Sequence, residues 1–215
     1  MGQMFDPAHL CIVRHGETDW NAQGILQGWL DIPLNDLGRQ QALDLASDFA
    51  GHGISEVWTS PLVRATETAE IVAAALGLPP PRIHEGLRER CFGAIQGIPK
   101  TELAESNPLI LQQILRRNPA ADFEGGETMD EFADRVLNAL SEIGRRHHGK
   151  KLLVITHGWA MDVVTRHVRG LPVSTMLNLK RRNGESLWLR VAGSEIVVES
   201  EPDAPAAVLA PTDPG

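Results

Sequence analysis

The chain has 215 residues, of which 42% are hydrophobic, and a formal net charge of −8 at pH 7. The length suits one α/β domain, or one domain with a small lid, and no apolar stretch approaches the ~20 residues of a transmembrane helix. The acidic balance disfavours nucleic-acid partners, the start of the chain does not resemble a signal peptide, and its few cysteines, at no metal-binding spacing, fit a reduced protein. We therefore expect a cytoplasmic protein that binds neither nucleic acid nor membranes.

Strands and helices alternate along the first half of the chain. The predicted elements are a strand at 9–14, a loop from Gly16 to Asn35, a helix at 37–50, a strand at 55–59, a helix that begins at Pro61 and ends before Gly77, and a short edge strand near Ile83. Gly16 is expected to allow a sharp turn after the first strand. Ser60 is expected to cap the helix after the second strand, because serine is a preferred N-cap residue and proline suits the first helical position.

The alternation continues through the second half of the chain. The predicted elements are one or two short helices within 99–117 that are interrupted at Asn107-Pro108, a helix from Thr128 to about His148, a strand at 152–156, a helix at 158–168, and final strands at 187–191 and 195–199. This order predicts an α/β fold, a three-layer α/β/α sandwich around a central, mostly parallel sheet. We expect one domain over residues 1–200 and a flexible, proline-rich tail at 201–215.

Cationic and titratable side chains follow three of the predicted strands. Arg14 and His15 come directly after the first strand, His157 follows the fourth, and Arg64 lies one turn into the helix after the second. In open α/β sheets ligands bind outside the carboxyl ends of the strands, so neighbouring parallel strands would bring these side chains together. Arginine forks match phosphate oxygens, and the helix after His157 adds partial positive charge at its amino end. The pattern therefore predicts a phosphoryl-binding site.

A histidine in such a site can act as a nucleophile. A neutral imidazole attacks phosphorus and forms a phosphohistidine, and nearby arginines lower the pKa of His15 and favour that neutral form. The leaving oxygen then needs a proton, and Glu89, in a glycine- and aromatic-containing segment, is the candidate general acid. Glu17 and Glu85 are nearby alternatives for this role and are otherwise interpreted as surface salt-bridge partners.

Short blocks in a fixed order along the chain carry a resemblance to a known family. The blocks are Arg14–Asn21, Gln27–Trp29, Pro33–Gly38, Ser60–Ala65, Leu87–Arg90, Gly125–Thr128 and Thr156–Gly158. Over about residues 9–195 the chain resembles the histidine phosphatase superfamily, the phosphoglycerate-mutase-like proteins. This resemblance implies a phosphorylated histidine at His15 and a proton donor at Glu89. The residues implied to hold the phosphoryl group are Arg14, Arg64 and His157.

Further residues are expected to line the phosphate and substrate site. They are Asn21, Gln27, Gly28, Gly158 and Trp159. The resemblance implies no metal and no other cofactor, a phosphorylated small molecule as substrate, and a homodimer through an edge strand as the possible assembly.

The family contains mutases and phosphatases, and the chain has features of both. Residues 92–100 resemble the mutases. However, Trp159 follows the His-Gly pair where mutases carry asparagine, and only 37 residues, from Arg90 to Gly126, replace a long capping insertion. Because a short lid excludes water less well, it favours hydrolysis of the phosphohistidine. We predict a metal-independent phosphatase with a lid at about 99–125, and a phosphoglycerate mutase is the second interpretation.

Two other function classes stay open. A catalytically silent relative would bind phosphorylated ligands, although such a protein has no need of the proton donor Glu89. A metal hydrolase needs clustered ligands, and the adjacent His147 and His148 point to different helix faces, which fits such a cluster poorly. These two histidines are interpreted as cations at a helix end.

Several basic and aromatic residues have two interpretations. Arg116 and Arg117 lie either at a solvated helix end or, as the mutase resemblance implies, where they read a carboxylate of the substrate. The segment 180–182, Lys-Arg-Arg, is interpreted as the exposed flank of a turn. Trp20 and Trp29 are interpreted as core residues, whereas Trp159 is expected to form a wall of the pocket.

Overall fold

The computed structural model describes residues 6–177, 179 and 181–199. Its elements are β1 (Ala8–Arg14), α1 (Asp19–Gln23), α2 (Asp36–Phe49), β2 (Ile54–Thr59), α3 (Val63–Ala75), β3 (Arg82–Ile83), α4 (Lys100–Ser106), α5 (Pro108–Leu115), α6 (Met129–Arg145), β4 (Lys151–Thr156), α7 (Gly158–Val168), β5 (Ser186–Ala192) and β6 (Glu195–Val198). Short 3₁₀ turns lie at Glu85–Leu87 and Gly93–Ile95. No helix among the described residues is long and apolar enough to cross a membrane.

The strands form one six-stranded sheet in the order β3-β2-β4-β1-β5-β6. The first four strands in this order are parallel, and β5 and β6 are antiparallel. Arg14 at the end of β1 is level with Thr156 of β4, and Thr59 of β2 is level with Ile155. The carboxyl ends of β1, β2 and β4 therefore meet at one edge of the sheet.

The middle parts of β1 and β4, residues 10–13 and 152–155, are apolar and buried because helices cover both faces of the sheet. Successive side chains of a strand point to opposite faces. In β1, Leu10 and Ile12 pack in the core on the α6 and α7 side, and Cys11 and Val13 pack in the core on the α2 and α3 side. The sequence prediction of a three-layer sandwich with a mostly parallel sheet is confirmed.

Some local predictions are wrong. The predicted loop from Gly16 to Asn35 contains α1, which is too short to show an apolar stripe and which Thr18 caps. Helix α3 begins at Val63 with Leu62 as its N-cap residue, so Ser60 is not the cap. The Ser60 hydroxyl accepts a hydrogen bond from the backbone N–H of Leu62 at 3.3 Å and lies 2.8 Å from His157 Nε2. Helix α6 ends at Arg145, earlier than predicted. The tail predicted at 201–215 lies outside the described residues.

His147 is not a solvated cation at a helix end. Its side chain is buried, with Nδ1 2.7 Å from the carbonyl oxygen of Ile143 and Nε2 3.3 Å from a carboxylate oxygen of Glu56. The ring also packs edge-on against Trp58. The chain after α6 therefore turns inward and buries this histidine under the sheet edge.

Glycine is needed at position 16 because another backbone segment comes very close to Gly16, and not because the chain makes a sharp turn there. Its φ is not in the left-handed region, and a Cβ at Gly16 would lie 2.4 Å from the carbonyl oxygen of Gly38. A Cβ at Gly38 would lie 2.0 Å from the carbonyl oxygen of Glu17. The loop after β1 is thus packed directly on the first turn of α2, which holds the backbone next to His15 in place.

Gly38→Ala is expected to lower the free energy of unfolding by about 3 kcal/mol or more, because backbone atoms on both sides must move apart. Chemical denaturation measures the loss. Gly51→Ala is the control: this glycine is left-handed but has open space around it, so only about 1 kcal/mol of conformational strain is expected. Equal losses in the two variants would contradict the packing argument.

Candidate active site

Four of the predicted site residues meet at the carboxyl edge of the sheet. Arg64 Nε lies 3.2 Å from His15 Nε2, and the ring centroids of His15 and His157 are 5.1 Å apart. Arg14 ends β1 and His15 follows it, and both line an open cavity of about 910 Å³ together with Arg64 and Glu89. The parallel register of β1, β2 and β4 is what brings these side chains together.

The hydrogen bonds of His15 define its tautomer. Nδ1 lies 2.6 Å from the carbonyl oxygen of Gly16, which only accepts, so Nδ1 carries the proton and the lone pair of Nε2 accepts a hydrogen bond from Arg64 Nε. The backbone carbonyl of His15 accepts a hydrogen bond from Asn183 Nδ2 at 2.8 Å. Burial lowers the pKa of His15 well below its usual value, and Arg64 and Arg14 lower it further. His15 is therefore a neutral imidazole with Nε2 facing a guanidinium.

Both arginines are held by backbone carbonyl oxygens. Arg64 donates to Leu30 at 2.9 Å and to Gly28 at 2.7 Å, and Arg14 donates to the carbonyl of Arg181. Burial is the largest cause that lowers the pKa of each guanidinium to about 10. Both side chains remain charged at neutral pH and can stabilise an anion next to His15.

His157 is fully buried, and a hydroxyl sets its orientation. Its Nε2 lies 2.8 Å from Ser60 Oγ, whereas Nδ1 is buried with no hydrogen-bond partner among the described residues. Burial lowers the pKa of His157 well below the usual value, and Arg64 adds to this. His157 does not itself line the cavity, and its unpaired Nδ1 is the ring atom left for a hydrogen bond with a ligand.

Ser60→Ala is expected to lower kcat/KM about 10-fold, because the ring of His157 loses the contact that fixes its orientation. Steady-state kinetics with p-nitrophenyl phosphate measure the effect. Ser55→Ala removes a hydroxyl from the other end of the same strand, where it donates to the carbonyl of Lys151, and should leave kcat/KM unchanged. An unchanged value in Ser60→Ala would contradict a positioning role for this serine.

Glu89 is buried and held at both its side chain and its backbone. Its carboxylate accepts hydrogen bonds from the backbone N–H groups of Arg90, at 2.9 Å, and Trp159, at 3.3 Å. Trp29 Nε1 donates to the Glu89 carbonyl at 2.7 Å. Burial raises the pKa of Glu89, and the two N–H groups together with Arg117 and Arg64 oppose that rise only in part. The carboxyl group thus keeps its proton to a higher pH than an exposed glutamate.

The two alternative glutamates occupy different surroundings. Glu85 forms an exposed ion pair with Arg88, as expected of a surface residue. Glu17 lines the cavity, but its carboxylate accepts a hydrogen bond from Asn35 Nδ2 at 3.0 Å. Of the three carboxyl groups, the one on Glu89 combines burial, a raised pKa and contact with the arginine-lined cavity.

The other residues expected at the site lie around the cavity. The residues that line it are Asn21, Gln27, Gly28 and Trp159. Thr18 links the first two, since its hydroxyl lies within hydrogen-bond distance of both side-chain oxygens. Gly158 begins α7, directly after His157. Trp20 also lines the cavity, so its interpretation as a core residue is wrong. The same interpretation is wrong for Trp29, which is partly exposed.

The interpretation of segment 180–182 as an exposed flank is wrong for Arg181. Its side chain is 10% exposed, lines the cavity, and donates from Nε to Asp162 Oδ1 at 2.9 Å. Arg182 is exposed at the rim, and position 180 lies outside the described residues. A signal was present in the sequence: Asp162 interrupts the apolar run of α7, and a buried carboxylate requires cationic partners.

Arg117 is not at a solvated helix end. It lines the cavity, pairs with Asp162 and lies 5.6 Å from the centre of the Trp159 ring. A Cβ at Gly158 would lie 2.9 Å from its guanidinium, so glycine at that position leaves room for the arginine. Arg116 is exposed at the rim of the cavity.

The fold and this constellation define an α/β protein with a buried, neutral histidine in an arginine-lined cavity. Residues 10–203 match the sequence profile of the histidine phosphatase superfamily (branch 1), and the chain belongs to that family. It is 41% identical over 155 residues to phosphoglycerate mutase-like protein 4 of Arabidopsis thaliana, covering 71% of this chain and 67% of that protein. It is 34% identical over 161 residues to the uncharacterized phosphatase PhoE of Bacillus subtilis, covering 75% and 77%.

Solved structures support the same assignment. YhfR of Bacillus stearothermophilus superposes with a TM-score of 0.82 at 29% identity and covers 93% of this chain and 98% of its own. A mycobacterial glucosyl-3-phosphoglycerate phosphatase in complex with VO3 superposes with a TM-score of 0.76 at 26% identity, covering 84% and 92%. The resemblance noted in the sequence is confirmed at the level of the family, whose members here include phosphatases and mutase-like proteins.

Proposed function

We propose that this protein is a metal-independent phosphatase that hydrolyses a phosphorylated small molecule through a phosphohistidine on His15. The observation that carries the proposal is the state of His15: Nδ1 donates its proton to the Gly16 carbonyl, and Nε2, which has the lone pair, accepts a hydrogen bond from Arg64 at an open cavity. This geometry provides a neutral nucleophile next to cations that stabilise the charge of the transferring group.

The first step forms the bond between His15 Nε2 and phosphorus and breaks the bond between phosphorus and the leaving oxygen. Glu89 donates its proton to that oxygen, so that the product leaves as an alcohol. Arg14 and Arg64 stabilise the equatorial oxygens of the phosphoryl group, and His157 Nδ1 offers them a further polar contact. In the second step Glu89 takes a proton from water, the oxygen of which attacks phosphorus and displaces His15 as free imidazole.

Hydrolysis is favoured over phosphoryl return because the cavity is open. The segment that covers the site carries only α4 and α5, which are 7 and 8 residues long, and the cavity reaches solvent past their exposed residues. Water therefore has access to the phosphohistidine. Because the relatives include mutase-like proteins, phosphoglycerate mutase activity is the second candidate function.

The product distribution from 3-phosphoglycerate with trace 2,3-bisphosphoglycerate tests this choice. We expect inorganic phosphate to be released at least about tenfold faster than 2-phosphoglycerate forms, since water enters the site freely. Phosphate release and phosphorus NMR of the products measure the two rates. Rapid isomerisation without release of phosphate would instead establish a mutase.

A further inference from the structure

Asp162 is a buried carboxylate that the mechanism does not use. It lies in α7, is fully buried, and has apolar neighbours on both sides in the sequence. One carboxylate oxygen accepts from Arg181 Nε at 2.9 Å, and the other accepts from Arg117. Both arginines line the active-site cavity, whereas Asp162 itself does not. The carboxylate therefore acts on the cavity through the two guanidinium groups.

Asp162 and Glu185 are each within range of several cations, and Arg14 interacts electrostatically with both. Arg117 and Arg181 face the carboxylates of Asp162 and Glu185, and Glu185 pairs with Arg181. Among the described residues, Asp162 is the one carboxylate in an ion pair with Arg117. Arg166 also interacts electrostatically with Asp162, but it lines a separate small cavity of about 70 Å³. The positive charge of Arg117 is thus compensated from within the protein.

The other cations on the wall of the active-site cavity do not replace Arg117. Arg14 and Arg64 hold the phosphoryl group in the proposed function, and Arg181 pairs with Asp162 and Glu185. Arg116 and Arg182 are exposed, so solvent screens their charges, and Lys100 lies at the start of α4. A carboxylate on the body of a substrate would gain most from a largely buried guanidinium without a counter-charge. Arg117 is largely buried, but its counter-charge is already present.

We propose that Asp162 is a specificity-determining residue: by neutralising Arg117, it makes the site discriminate against phosphomonoesters that carry a carboxylate close to the phosphate. The inference rests on the proposed phosphatase function and names its substrate class, monoesters with an uncharged body. A substrate carboxylate that took Arg117 would leave one oxygen of the buried Asp162 carboxylate without its cationic partner, which is costly. The mutase resemblance implied the opposite, with Arg116 and Arg117 free to read a carboxylate.

The test compares 3-phosphoglycerate with glycerol 3-phosphate. The first compound has a carboxylate where the second has a hydroxymethyl group. Isothermal titration calorimetry on the His15→Ala protein gives the ratio of their association constants without turnover. Asp162→Asn is expected to raise this ratio about 10-fold in favour of the carboxylated ester, because Arg117 gains an uncompensated charge. The double variant Asp162→Asn/Arg117→Met should return the ratio to within about twofold of the starting value.

Asp48→Asn is the matched control, since it removes the same charge from an exposed position on α2 and should leave the ratio unchanged. An unchanged or lower ratio in Asp162→Asn overturns the inference. If that variant does not fold, the double variant Asp162→Asn/Arg117→Met, which keeps the net charge of the pair, decides: a change below about twofold from the starting ratio supports the inference, and a tenfold fall shows that Arg117 reads carboxylates and overturns it. Failure of the wild-type protein to release phosphate from p-nitrophenyl phosphate refutes the proposed function separately, because the binding ratios do not depend on turnover.

Discussion

His15→Ala is expected to reduce phosphate release from p-nitrophenyl phosphate by roughly 10⁴-fold or more, because the variant lacks the atom that forms the covalent intermediate. The structure offers no second nucleophile in that place, since His157 Nε2 is held by Ser60 and its ring lies 5.1 Å from that of His15. The remaining arginines would still bind the phosphate, so KM should change far less than kcat.

A second readout comes from the intermediate itself. Wild-type protein quenched during turnover of a labelled substrate should carry label in an acid-labile, alkali-stable bond, and His15→Ala should carry none. His167→Ala, at an exposed position of α7, is the matched control and should keep both activity and label. Activity retained in His15→Ala would exclude a phosphohistidine at this position, and absent activity in the wild-type protein would favour the silent phospho-ligand binder.

Glu89→Gln is expected to lower steady-state turnover by roughly 10²–10⁴-fold, the range associated with general acid–base catalysis. Glutamine keeps the shape of the side chain but can neither donate a proton to the leaving oxygen nor take one from water. With p-nitrophenyl phosphate, whose leaving group needs little protonation, the first step should suffer less than the second. The phosphohistidine should therefore accumulate in this variant, as detected by rapid-quench labelling.

The pH dependence of kcat/KM tests the same assignment. Glu89 must start protonated, so activity should fall as pH rises through its pKa, and because burial raises that pKa, the fall occurs above the usual glutamate range. His15 must start neutral, and because its pKa is lowered, activity should persist well below pH 6.5. Glu89→Gln should lose the alkaline fall and keep the acidic one.

Glu85→Gln serves as the control for both measurements, since it changes an exposed glutamate four positions earlier that pairs only with Arg88 among the described residues. Its turnover and pH profile should match those of the wild-type protein. A Glu89→Gln variant with unchanged turnover would remove Glu89 from the proton-donor role, and Glu17, which also lines the cavity, would become the residue to replace.

The layer architecture could be predicted because it depends on local patterns. Apolar runs such as 152–156, helix caps such as Thr128 with Glu131, and the alternation of strands with helices each act over a few residues. The same patterns did not reveal α1, whose five residues carry no apolar stripe, or the contact of the Ser60 hydroxyl with His157, 97 positions away. A contact with a distant residue is not visible in local propensity.

The site likewise has a part that the sequence predicted and a part that it did not. The sequence by itself determined which side chains follow the strands, and therefore that Arg14, His15 and His157 meet at one sheet edge. Only the tertiary structure decided that Arg181 turns inward from a predicted exposed turn and that Asp162 compensates Arg117. The physical reason is that ion pairing and burial depend on three-dimensional distance, whereas sequence patterns report only the neighbours along the chain. The residues of this cluster lie in α7, after the end of α5 and in the chain before β5, and they become neighbours only in the folded protein.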